Sequence, residues 1–122
     1  MKPGYKTADT ILAVIRGEMP LSILPELGVE IVKEEGRLEL KSGPSEVIVK
    51  PSVSDIAGGL ITHRLNPDDL MTWAFFVLSA SDINFEKVEL HPQGELLIKA
   101  LWDASFEGEV SQDVLRTADS LA

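Results

Sequence analysis

His63 and His91 are the two imidazoles in a 122-residue chain without cysteine, so any acid–base or nitrogen-ligand metal chemistry starts with them. Neither forms a recognised ligand spacing with a second donor, although both together with Asp55 or Glu89 would make a nitrogen–oxygen ligand set. His91 stands beside Pro92 and reads as a turn residue. Ser52, Ser54, Asp55 and His63 hold the residue types of a nucleophile and its base, but no Gly-x-Ser-x-Gly elbow presents a serine on a strand-to-helix turn. Gly58-Gly59 lacks both the Gly-x-x-x-x-Gly-Lys cradle and the Gly-x-Gly-x-x-Gly fingerprint, so it reads as a bend. Asp68-Asp69 are adjacent carboxylates, yet behind Asn66 and Pro67 they belong to the first turn of a helix, whose dipole they complement. Asp103, Glu107, Glu109 and Asp113 surround the loop that holds Phe106, which reads as a plain solvated loop or as one able to dock a basic peptide. No catalytic residue, cofactor site or metal site is expected from these residues.

The elements that must carry them follow from local patterns. Thr7 caps a first helix with apolar residues Ala8, Ile11, Leu12 and Ile15 at helical spacing, ending at Arg16 and Gly17. Pro20 and Pro25 forbid a continuous helix over Met19 to Leu27, which reads as an extended connector. Strands are expected at Val29 to Lys33, Arg37 to Lys41 and Glu46 to Lys50, joined by Glu34-Glu35-Gly36 and Ser42-Gly43-Pro44-Ser45 as an antiparallel meander. Pro51 to Leu65 carries no clean period, and a short strand is expected at Leu60 to Arg64. Asn66, Pro67, Asp68 and Asp69 then open a helix to about Ser81. A hairpin is expected from Phe85 to Leu90 and Glu95 to Asp103, turning at His91-Pro92-Gln93-Gly94. A last helix is capped by Ser111, with Val114, Ala118 and Leu121 in one stripe. The expected fold is a single α+β domain over residues 1–122, with element order α-β-β-β-α-β-β-α.

Charge narrows the partners. The formal charge is −9, from 20 acids and 11 bases; residues 66–122 alone hold eleven acids against three bases. An acidic face repels phosphate backbones and anionic headgroups, so neither nucleic acid nor a membrane surface is an expected partner, and a basic protein or peptide is. The most apolar run, Leu70 to Leu78, falls short of the ~20 residues that span a bilayer. The run Ile11 to Ile15 is too short for a secretory signal, and a cytoplasmic protein is expected.

Two elements carry more apolar surface than one sheet-facing side would bury. In Leu70-Met71-Thr72-Trp73-Ala74-Phe75-Phe76-Val77-Leu78 the apolar residues surround the helix axis. The last expected strand sends Leu96, Ile98, Ala100 and Trp102 one way, and Leu97 and Leu101 the other. Trp73, Phe75, Phe76, Leu97 and Leu101 are therefore the expected interface, a homodimer seam or partner groove; the alternative is that the first and last helices, or the connector Leu21 to Leu27, cover the second faces within one subunit.

Over the capped helix Asn66-Pro67-Asp68-Asp69-Leu70, the segment Val88-Glu89-Leu90-His91-Pro92-Gln93-Gly94-Glu95-Leu96 and the closing helix from Ser111, the chain resembles the type III secretion chaperone-like superfamily. Within it the chain looks like a cyanobacterial family of unknown function, and more distantly like YbjN-like bacterial proteins. The resemblance implies a small acidic homodimer that binds protein and supplies no catalytic residue. The expected function is thus a non-enzymatic, dimeric interaction or chaperone-like module. The alternative is a regulator that binds a small ligand near Trp73, Phe76 and Trp102.

Overall fold

Capping side chains start four of the described helices, at Thr7, Ser52, Asn66 and Ser111. The computed structural model describes residues 7–35, 37–42 and 47–122. Thr7 accepts from the Thr10 N–H to open α1 (Ala8–Ile15). Gly17, with a φ of 81°, then turns the chain away in the left-handed region that favours glycine. A 3-10 helix (Leu21–Leu27) takes the place of the extended connector; its tighter turn accommodates Pro25 and buries Leu24 and Leu27.

β1 (Val29–Glu34) and β2 (Arg37–Ser42) form an antiparallel pair with Ile31 opposite Leu40 and Lys33 opposite Leu38. Val29, Ile31 and Lys33 alternate onto one face, with the first two packed on the core. The turn after Ser42 and the residue that opens the expected third strand, Glu46, lie outside the described residues. From Val47 to Lys50 there is no strand; Val49 makes an isolated parallel bridge to Ile83.

The segment Pro51 to Leu65, expected to hold a bend and a strand, is mostly α2 (Val53–His63). Its start is a capping box: Asp55 N–H donates to Ser52 Oγ at 3.2 Å and Ser52 N–H donates to Asp55 Oδ2 at 2.8 Å. Val53, Ile56, Ala57 and Leu60 make its buried stripe. α3 (Pro67–Ser79) begins where expected, with Asn66 Oδ1 accepting from the Asp69 N–H at 3.1 Å.

The expected closing hairpin is helical. A single turn, α4 (Glu86–Glu89), leads through a tight reversal into α5 (Gly94–Glu107), followed by α6 (Gln112–Leu121) capped by Ser111. In α5 the residues Leu97, Ala100, Leu101 and Ala104 are buried. That is one helical stripe, so the rule of two that assigned Leu97 and Leu101 to a strand's outer face does not apply. The result is a helical body with one small antiparallel sheet, broadly α+β. α3 packs along α5 and α2 against α6, while β1 and β2 lie beside the 3-10 helix and α3.

At the centre, the Trp73 indole Nε1 donates to the Ile15 carbonyl at 3.0 Å in a buried setting. Ile15 ends α1, so its carbonyl has no donor within its own helix. Gly59 of α2 lies at the same point, where an added Cβ would collide with both the Ile15 oxygen and the Trp73 ring. Gly59→Ala is accordingly expected to lower unfolding free energy by about 1–3 kcal/mol, the usual cost of overpacking. Urea titration followed by far-ultraviolet circular dichroism measures it, and an unchanged midpoint would contradict the packing.

Candidate functional site

Several of the residues singled out for chemistry have structural tasks. Ser52 and Asp55 cap α2, and Asp55 also stands 3.8 Å from Arg16 Nη1. His91 Nδ1 accepts from the Gln93 N–H at 3.0 Å, which fixes the turn between α4 and α5. Asp68 and Asp69 lie exposed in the first turn of α3. Phe106, Asp103 and Glu107 belong to the end of α5 and not to a loop. Among the described residues no group of three His, Asp or Glu side chains is placed to hold a metal ion. No helix among them is long and apolar enough to cross a membrane.

His63, the last residue of α2, tilts against Trp73 with ring centroids 5.9 Å apart, and its Nε2 is buried without a hydrogen-bond partner. Burial pushes its pKa below the ordinary value of 6.5, opposed by the nearby Asp69 carboxylate. The native state therefore holds this proton less tightly than the unfolded chain. Its contribution to stability is complete above pH 6.5 and is lost as pH falls toward and below the lowered native value. His63→Gln is expected to flatten that acid-side decline; urea midpoints of the two proteins across the range check it, and parallel profiles would contradict it.

Of the five expected interface residues, four are core. Trp73, Leu97 and Leu101 are 0% exposed and Phe76 is 1% exposed within a single chain. They point inward because α3 and α5 pack on each other as helices, each covering the other's apolar arc. A charge at such a position has neither solvent nor partner. Leu97→Glu is expected to unfold the chain, not to yield a folded monomer, and circular dichroism at low temperature distinguishes the two outcomes.

The fifth, Phe75, is half-buried and marks a groove of about 570 Å³. Met71, Phe75, Leu78 and Ser79 of α3 form its floor; Trp102, Ser105 and Phe106 of α5 form one wall. Lys33, Arg37 and Leu38 of the hairpin form the other. Trp102 and Phe106 stack at 6.0 Å with their planes 17° apart, yet remain 50% and 75% exposed. Neither Trp73 nor Phe76 lines this groove, so the pocket expected near Trp73, Phe76 and Trp102 keeps the last of the three.

Sequence reasoning missed the groove as a set for one reason: with Trp102 in a strand and Phe106 in the loop after it, nothing placed the two side by side. As helix positions four apart they share a face. A second legible signal was Lys33, which follows Val29 and Ile31 in the core-facing row of β1 and is the one cation in it. Comparison of the chain with protein-family models, with curated proteins and with solved structures finds no match.

Proposed function

We propose that the protein is a non-enzymatic binding protein and that the groove between the hairpin, α3 and α5 is where it binds a small apolar ligand. The observation carrying this reading is the exposed Trp102–Phe106 stack above the Phe75 floor. Aromatic surface held in a concavity gains when water leaves it; complete burial of a ring of this kind contributes about 1.5–3 kcal/mol. A volume of about 570 Å³ lies in the range that takes a small molecule. Ser79 and Ser105 are the hydroxyl-bearing residues of the lining, with no histidine or carboxylate beside them, which favours binding over acyl transfer.

A chaperone-like homodimer is the second reading, favoured by the same two exposed rings, since twofold pairing of their faces would cover them. It no longer draws support from Trp73, Phe76, Leu97 and Leu101, nor from a closing hairpin.

Amide shifts in a titration with decanol, a neutral apolar probe, are expected to cluster on Met71, Phe75, Trp102 and Phe106. Phe106→Glu is expected to abolish them with little change in melting temperature, because that side chain is largely in solvent. Shifts scattered over the surface, or none, would overturn the groove as the site. A concentration-dependent dimer in sedimentation, lost in Phe106→Glu, would establish the second reading in its place.

A further inference from the structure

We infer that the groove selects a small amphiphile with an anionic head, an acyl or aryl carboxylate whose head lies against Lys33 and Arg37. This deepens the groove-binding reading and rests on it. The chain has 20 acids and 11 bases, yet both charged side chains that line the groove are cations. Asp103 and Glu107 each follow a groove aromatic on α5, but one helical residue turns them about 100° away, and neither is in the lining.

The two cations are also uncommitted. Among the described residues neither Lys33 nor Arg37 has a carboxylate within 4.0 Å, although Glu34 stands directly across from Arg37 in the strand register. Lys33 shares its row of β1 with Val29 and Ile31 and stands exposed at the hairpin end, where it lines the groove. Opposite these charges lie only rings, aliphatic side chains and two serine hydroxyls. The lining thus matches a molecule charged at one end and apolar at the other. An arginine fork donates to both oxygens of a carboxylate, and a lysine adds a point charge. A nucleotide or a free inorganic anion would leave the aromatic wall uncovered, and a cationic amphiphile would set like charges together.

Calorimetric titration of the full chain with decanoate, decanol and decyltrimethylammonium, each below its micelle-forming concentration, tests the inference. Decanoate is expected to bind about tenfold or more tightly than decanol, the usual worth of a hydrogen bond to a charged group, and the ammonium most weakly. The double substitution Lys33→Gln with Arg37→Gln is expected to remove the preference for decanoate over decanol. Equal binding of the three probes, or an unaffected double variant, would overturn the charge selection and leave the groove reading standing. Binding of none would overturn both, as would a dimer that no probe dissociates, which assigns the groove to a second copy.

Discussion

A hydrogen bond from the Trp73 indole to the final carbonyl of α1, 3.0 Å long and reached past Gly59, sets the rotation of α3 about its own axis. Successive residues of an α-helix step by about 100°, so Phe75 and Met71 each stand about 200° from Trp73. With the indole held inward they must face the opposite side, where the hairpin and α5 enclose them. The contact is specific as well as apolar: it satisfies a carbonyl that the end of α1 leaves open, and a Cβ at position 59 would collide with it. The groove floor is therefore a consequence of how the core is keyed, since a small turn of α3 would carry Phe75 under its neighbours and bring Trp73 toward water.

The expected surplus of apolar surface came from assuming that a sheet formed one side of the core. A strand of ten residues offers five side chains to a layer, and those on its other side need separate cover. Wound into α5, the segment expected as a strand from Glu95 to Asp103 presents Leu97, Ala100 and Leu101, with Ala104 just beyond it, in one arc against α3. α2 and α6 close the remaining sides. Helical packing thus consumes rings that a sheet would have left over, and the surface that remains bare is the smaller one around Trp102 and Phe106.

What the amino-acid order disclosed was whatever depends on neighbours in the chain. Thr7, Asn66 and Ser111 each place an oxygen on a free N–H three residues ahead, and all three helix starts were legible from that chemistry alone. The β1–β2 pair was legible because Leu38 and Leu40 alternate with charges. α2 was hidden by Gly58-Gly59, although Ser52 and Asp55 spelled a capping box and Val53, Ile56, Ala57 and Leu60 kept helical spacing. Close approach to α1, which no local pattern records, is what requires glycine at 59. α5 was ambiguous on physical grounds: Leu96 to Trp102 is apolar at nearly every position, so periods of 2 and 3.6 fit equally well. His91 to Gly94 does reverse the chain, but between helices, with Gly94 pressed on the Val88 carbonyl. The groove shared the fate of α5, because its wall exists only once residues 102 and 106 fall on a common face.

On α5 the side chains that hold the fold together and those that meet the outside occupy separate arcs of a single rod. Leu97, Leu101 and Ala104 are enclosed, whereas Trp102 and Phe106 stand half or more in solvent. Selection can thus act on the two arcs independently. A lineage carrying this scaffold is free to drift in what it recognises by exchanging two outward side chains, while inheriting its architecture unchanged.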